Sequence, residues 1–220
     1  MLRYYIMADL GKTLNELFEL NEDEKFYKDY FEVSASSGQL KKFLDKVDLD
    51  DAIRRHLIIP ELLPDIISYE MNDDEYFKDN DRNVFISKHN RYTPPFLHKH
   101  DFFEIIFVQN GTCTNYVLGR SIPMRTGDIC IMAPDVTHSL SAFHDEDYII
   151  NILIRKSTFE QSFFGLLDSD TILSDFFKRT FYQTSEIPYL LFHSENDPVL
   201  TDLIERAYAE CGQQKRYRKQ

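Results

Sequence analysis

The pattern of apolar and polar positions divides the chain into a central β-rich stretch with helical stretches on either side. Between residues 84 and 154, short runs of β-branched and aromatic residues alternate with Gly, Asp and Pro turn signals. Strands are expected at 84–88, 102–109, 113–118, 121–123, 129–132, 139–143 and 148–154. Such spacing is typical of an antiparallel sandwich or barrel of the jelly-roll type. Both faces of the 102–109 run are apolar, so helices or a second subunit should cover its outer face.

The first 82 residues show helical spacing of apolar positions instead. Helices are expected after a cap-like polar run at 21–24, at 39–47 and at 50–56. An acidic run at 72–81 is interpreted as a linker whose carboxylates are solvated. We therefore expect a helical N-terminal segment over residues 1–82 and a barrel core over residues 83–155.

Residues 156–220 are expected to form C-terminal helices with one added strand. Ser157, with Glu160 at capping-box spacing, predicts the start of a first helix. A second helix is expected at 171–182, a strand at 187–192, and a last helix from Pro198. The apolar stripe of that last helix fits either core packing or a dimer interface. The stripe consists of Leu200, Leu203, Ile204, Ala207, Tyr208 and Cys211.

Side chains that can bind a metal are concentrated between residues 98 and 138. If the chain is extended from His98 onward, His98, His100 and Glu104 point to one face of the strand. His138, which follows a later strand and a turn, can supply a fourth group. Imidazole and carboxylate are ligands that Zn, Ni, Fe or Mn accept. The alternative is that these groups hydrogen-bond one another and a buried water, forming a polar pocket without a metal.

Charge and cysteine content narrow the choice of partners. The net charge of −12 disfavours contact with a nucleic-acid backbone, because such contact depends on Lys and Arg. The 3 cysteines lack metal-site spacing and fit reduced thiols in the cytosol. No signal-peptide pattern is present, and the apolar run 148–154 is too short to span a bilayer. We expect a cytoplasmic protein with no membrane contact.

Two motifs carry a resemblance to a known family. His98-x-His100-x3-Glu104-x6-Gly111 resembles the first cupin motif, and the stretch from Gly127 to His138 is similar to the second. The second motif ends in Pro-x3-His, a form that looks like the N-terminal sensor domains of AraC-family transcription regulators. The resemblance covers residues 84–154 strongly and 155–211 in general layout. It implies a cupin-type barrel, that is, a double-stranded β-helix or jelly-roll.

This resemblance implies the effector-sensing and dimerisation portion of a regulator rather than an enzyme. A sugar or small organic acid would bind in the barrel and shift the population between two arrangements of a homodimer. The implied ligand-binding residues are His98, His100, Phe102, Glu104, Ile106 and His138. Regulators of this kind carry two helix-turn-helix motifs after the sensor, and residues 195–220 cannot hold them. DNA binding is therefore expected only through a C-terminal domain missing from this fragment.

A metal-dependent cupin enzyme, such as a dioxygenase or a sugar isomerase, is the alternative function. The ligands would be His98, His100, Glu104 and His138, and the metal would activate oxygen or polarise a carbonyl. The sequence offers no evident residue for the acid or base that such an enzyme requires.

Overall fold

The computed structural model describes residues 17–64, 68–73, 77, 83–167, 170–182 and 187–217. The helices are α1 Glu22–Ser34, α2 Ser37–Leu44, α3 Leu49–Arg54, α4 Lys156–Leu167, α5 Ile172–Tyr182 and α6 Pro198–Tyr217. The first five strands are β1 Ser68–Met71, β2 Val84–Lys88, β3 Leu97–His100, β4 Phe103–Asn110 and β5 Thr112–Val117. The others are β6 Arg120–Arg125, β7 Asp128–Met132, β8 His138–Ser141, β9 Tyr148–Ile154 and β10 Tyr189–His193. Within this part of the chain, no helix is long and apolar enough to cross a membrane.

The described strands form two five-stranded sheets. The first sheet has the order β1-β3-β8-β5-β6, and the second has the order β10-β7-β4-β9-β2. Alternate side chains of β4, such as Ile106 and Val108, pack with residues of β5, β6 and β8 in one apolar cluster between the sheets. This arrangement confirms the prediction of a mainly β, cupin-type jelly-roll barrel with flanking helices.

Helices cover the outer face of β4. Phe103 stacks on Phe159 of α4 at a ring-centroid distance of 4.3 Å and also contacts Phe177 of α5. Phe107 packs with Ile204 of α6. Full burial of such a ring contributes about 1.5–3 kcal/mol. The expectation of a covered outer face is thus confirmed, with helices of the same chain forming the cover.

A buried ion-pair network attaches α1 to the barrel. Asn21 and Glu24 form a reciprocal capping box at the start of α1. The Glu24 carboxylate also accepts hydrogen bonds from Arg91 Nε and Lys88 Nζ, each at 2.7 Å. The remaining guanidinium nitrogens of Arg91 donate to main-chain oxygens, including that of Glu19 at 2.9 Å. A residue expected only at a helix cap therefore also joins the N-terminal helices to the loop after β2.

Three sequence-based expectations about elements need correction. His98 and Glu104 do not lie on one continuous strand, because β3 ends at His100 and β4 begins at Phe103 in the other sheet. The segment 1–82 was expected to be helical, but it also contains the short strand β1, which pairs in parallel with β3. Helix α4 begins at Lys156, so Ser157 lies in its first turn rather than at its cap.

Candidate ligand-binding and metal site

The histidine cluster lines a cavity of about 240 Å³ between the two sheets. β3 contributes His98 and His100, β4 contributes Glu104, and β8 contributes His138. The backbone pairing of His98 with His138 places these two imidazoles side by side, with ring centroids 4.3 Å apart. Glu104 reaches the same space from the opposite sheet. The four groups therefore converge across the barrel rather than along one strand.

Glu104 is the centre of the cluster. Its Oε2 atom lies 2.9 Å from Nε2 of His138 and 3.3 Å from Nε2 of His100. The ligand-type atoms of His98, Glu104 and His138 all lie within 4.8 Å of one another. This three-residue group does not include His100. Two imidazoles and one carboxylate at this separation match a ligand set used for divalent transition metals, with coordination positions left open.

Each of the three imidazoles is oriented by a main-chain carbonyl group. His98 Nδ1 is 3.2 Å from the oxygen of Phe96, and His100 Nδ1 is 2.7 Å from that of Phe102. His138 Nδ1 is 3.0 Å from the oxygen of Val136. Because a carbonyl oxygen only accepts, each Nδ1 carries the proton that it donates. In the neutral rings, Nε2 then holds the lone pair that can bind a metal ion or accept a proton.

Burial and pairing separate the pKa values of the cluster. Burial opposes ionisation of Glu104, but hydrogen bonds from His100 and His138 outweigh it and lower its pKa well below the usual value. Burial likewise disfavours charged His138, but Glu104 raises the pKa of His138 overall. Burial, followed by the charge of His138, lowers the pKa of His98 to about 3. The cavity thus holds a carboxylate anion beside one neutral imidazole and one imidazole that readily takes a proton.

The predicted ligand-binding residues do not all reach the cavity wall. His98, His100, Phe102, Glu104 and His138 line it. The ring of Phe102 stacks on that of His100, with centroids 4.5 Å apart and planes within 6°. Ile106 instead packs in the apolar cluster that fills the adjacent part of the barrel. Glu104 therefore faces the cavity, whereas Ile106, two residues later in β4, lies in the apolar core.

Residues that sequence reasoning did not assign to the site also line the cavity. His89 and Asn151 come from the β2 and β9 side, while Tyr27, His56 and Ile58 come from the N-terminal segment. The Tyr27 hydroxyl accepts a hydrogen bond from the main-chain nitrogen of Ile58 at 2.9 Å. The alternation of Phe85, Ser87 and His89 along β2 is the signal that could have placed His89 inside, once the inner face of β2 was known.

His89 is expected to make folding stability depend on pH. Burial lowers the pKa of His89 from 6.5 to about 4. Between these two pKa values the unfolded chain binds a proton at His89 that the folded chain does not bind. The contribution of neutral His89 to the free energy of unfolding is therefore complete above pH 6.5 and is lost as the pH falls towards 4. Between pH 7 and pH 5, wild type should lose about 2 kcal/mol more unfolding free energy than His89→Leu. Urea unfolding at both pH values measures the difference, and parallel losses in the two proteins would contradict the assignment.

Comparisons with solved structures return ToxT chains and cupin proteins. An apo ToxT variant from Vibrio cholerae is 14% identical, with 59% of this chain and 51% of that chain covered and a TM-score of 0.42. ToxT with a bound unsaturated fatty acid is 15% identical, covering 58% and 51%, with a TM-score of 0.39. A cupin protein from Bacteroides fragilis is 26% identical, covering 34% and 66%, with a TM-score of 0.30. The chain thus spans about half the length of the ToxT chains that it matches.

Comparison with curated proteins finds no match. The family described as the AraC-like ligand binding domain matches residues 85–217, which is more than half of the chain. The match includes all but the first residue of β2, the strands β3 to β10, the histidine cluster and the helices α4, α5 and α6. This chain therefore belongs to the family of AraC-like ligand-binding domains.

Proposed function

We propose that this chain is the effector-sensing and dimerisation portion of an AraC-type transcription regulator and that a small molecule binds in its cavity. The supporting observation is a buried carboxylate, Glu104, surrounded by imidazoles that main-chain carbonyl groups orient. A cavity in which a few polar groups converge between apolar side chains is the usual form of a small-molecule site. The proposed contacts are His98, His100, Phe102, Glu104 and His138, which all line the cavity.

The same cluster fits a divalent metal ion. His98, Glu104 and His138 would hold the ion, because their ligand atoms lie within 4.8 Å of one another. The carbonyl contact of each Nδ1 leaves Nε2 as the ligand atom, as in many metal-binding histidines. A bound Zn, Ni, Fe or Mn ion would supply a Lewis-acidic contact for an oxygen atom of the effector. His100, outside this group, would remain a hydrogen-bond partner of Glu104.

Strand β2 provides a route from the cavity to a dimer interface. Phe85 and Ser87 line the cavity, whereas Ile86 packs beneath Ile204 of α6 on the outer face. The neighbouring Leu203 of α6 is 58% exposed, which leaves an apolar face for a second copy. An effector that binds one arrangement of β2 and α6 more tightly would shift the population of dimers. In a cytoplasmic regulator of this type, a separate helix-turn-helix domain would contact DNA.

Thermal unfolding with a panel of sugars and small organic acids tests the proposal. An effector present at 100 times its dissociation constant should stabilise the folded state by about 2.7 kcal/mol. For a chain of this length, that stabilisation raises the melting temperature by roughly 5–10 °C. Glu104→Gln should abolish the shift, whereas Glu146→Gln, which changes an exposed glutamate, should retain it.

The outcomes of this experiment separate the candidate functions. A saturable shift that disappears only in Glu104→Gln supports effector binding in the cavity. A shift that survives in Glu104→Gln places the ligand elsewhere and contradicts the proposal. Consumption of a panel compound in the presence of a metal would instead favour the cupin enzyme.

A further inference from the structure

We propose that His89 and Asn151 form a second polar subsite in the cavity and that this subsite selects an uncharged, hydroxyl-bearing effector over a carboxylate. The inference rests on the proposed function, because it specifies the chemical class of the effector that the cavity binds. A polyol or a sugar is the expected class.

The first observation is that two buried polar atoms lack partners. Nε2 of His89 and the side-chain oxygen of Asn151 are buried and have no hydrogen-bond partner among the described residues. Both residues line the cavity that holds Glu104 and the other histidines. Native proteins pair nearly all of their buried polar groups, so unpaired groups facing a cavity indicate a missing polar partner.

The strand register brings these two residues together. Ser87 of β2 pairs with Asn151 of β9, and the main-chain nitrogen of His89 donates to the oxygen of Ile149 at 2.9 Å. His89 and Asn151 are therefore diagonal neighbours on the inner face of the second sheet. Side chains at such positions are about 7–8 Å apart at Cα and are close enough for one ligand group to contact both. Ser87, which also lines the cavity, is opposite Asn151 and two residues before His89.

The chemistry of the pair matches a hydroxyl group. Burial lowers the pKa of His89 to about 4, so its ring is neutral near pH 7 and offers one donor and one acceptor. The Asn151 amide is neutral and also offers both kinds of group. A hydroxyl group donates and accepts, so it can satisfy both residues at once. A carboxylate only accepts and would leave the Asn151 oxygen unpaired.

The charges around the cavity also disfavour an acid. Glu104 already places one buried carboxylate in the cavity, paired with His138 and His100. Lys88, the cation in the cavity wall, is paired with Glu24 at 2.7 Å. The other titratable groups of the wall are Tyr27, His56, His89 and His98. A second anion would therefore lie beside the Glu104 carboxylate, which repels it, with no unpaired cation among the described residues of the wall to balance its charge.

The cavity suits a small molecule, and it is not closed on all sides. Its volume of about 240 Å³ lies just below the usual range of about 300–1,000 Å³ for small-molecule sites. A pentose or a small cyclitol is a compound of suitable size. One end of such a compound would meet the Glu104 cluster while its remaining hydroxyl groups reach His89 and Asn151.

Isothermal titration with matched neutral and acidic probes tests the inference. The probes are D-xylose, D-galactose and myo-inositol, beside D-xylonate and D-galacturonate. At least one neutral probe should bind wild type more tightly than either acid. His89→Leu and Asn151→Leu should each weaken that binding by about 10-fold or more. His89→Gln, which keeps a neutral donor and acceptor, should weaken it less than His89→Leu.

Asn115→Leu is the matched control. Its side-chain oxygen is also buried without a partner, but Asn115 packs against the sulfur atoms of Cys130 and Met132 in the barrel core, outside the cavity wall. This variant should bind the neutral probe within about twofold of wild type. Melting temperatures of all variants show that each is folded before titration.

Three outcomes would overturn the inference. The subsite would be contradicted if an acid bound more tightly than the neutral probes. It would also be contradicted if a neutral probe bound His89→Leu and Asn151→Leu as tightly as wild type. Neither result would contradict the proposed function. If no probe binds wild type, the inference fails, and the wider effector panel with Glu104→Gln then decides the proposed function independently.

Discussion

Replacement of Glu24 by alanine is expected to lower the free energy of unfolding by about 3–5 kcal/mol, because it leaves a buried charge without its partner. The Glu24 side chain is fully buried, and that of Arg91 is 1% exposed. Although burial raises the pKa of Glu24, hydrogen bonds from Arg91 and Lys88 outweigh it and keep the pKa below the usual value. Urea unfolding at pH 7 measures the loss directly.

Two further variants separate the charge from the helix cap. Glu22→Ala removes an acidic residue from the same turn of α1, but the Glu22 side chain is 83% exposed, so its loss should change the free energy of unfolding far less than the loss of Glu24. A triple variant, Glu24→Met with Lys88→Met and Arg91→Met, removes all three charges of the network and should recover much of the stability. A loss below about 1 kcal/mol in Glu24→Ala would show that the network contributes little to stability.

The Glu24 network also has a consequence for the cavity. Helix α1 carries Tyr27, whose side chain lines the cavity one turn after Glu24. Because Lys88 ends β2 and Arg91 lies in the loop after it, the same ion pairs connect the N-terminal helices to the strand that carries Ser87. Loss of Glu24 should therefore loosen the cavity wall as well as destabilise the fold. Weaker effector binding in the folded fraction of Glu24→Ala would report this connection.

The barrel was predictable from sequence because some of its turns require glycine. Gly127 has φ +88°, and a Cβ atom there would lie 2.5 Å from the main-chain nitrogen of Asn196. Gly111 has φ +77° and is similarly crowded by Asp147. A turn that only glycine tolerates appears in the sequence as a glycine between apolar runs. Strand positions then follow from the apolar runs between those turns.

Contacts between distant parts of the chain explain what sequence reasoning missed. Glu24 and Arg91 are 67 residues apart, and the local pattern around Glu24 indicates only a helix cap. His89 follows the end of β2, and its inward position depends on the pairing with β9. The alternation of side chains along a strand does not show which of its two faces points into the barrel.

The alternation of side chains along an extended strand predicted the candidate site only in part. The pattern of His98, His100 and Glu104 predicted a shared space, and the structure brings the three side chains together. The predicted reason was wrong, because the chain passes from one sheet to the other between His100 and Phe103. The side chains therefore meet across the barrel and not along one strand. Of the two histidines of β3, only His98 belongs to the group of possible metal ligands formed with Glu104 and His138.

Glu104→Gln is expected to lower the affinity of the cluster for a divalent metal by at least about 100-fold, because it removes the only carboxylate ligand of the group. Wild type purified without a nickel column and incubated with Zn²⁺ or Mn²⁺ should retain about one equivalent after desalting. Inductively coupled plasma mass spectrometry measures the retained metal. Imidazole ligands favour Zn²⁺ and oxygen ligands favour Mn²⁺, so the ratio of retained Zn²⁺ to retained Mn²⁺ shows which ligand type dominates the site.

The two histidines of β3 provide a matched pair for this measurement. His98→Gln removes a member of the metal-type group and should lose the metal, whereas His100→Gln removes a neighbour of Glu104 outside that group and should retain most of it. Equal losses in both variants would indicate that all three histidines hold the ion. Less than about one tenth of an equivalent in wild type would instead establish the hydrogen-bonded polar pocket, with Glu104 and His138 as its ion pair.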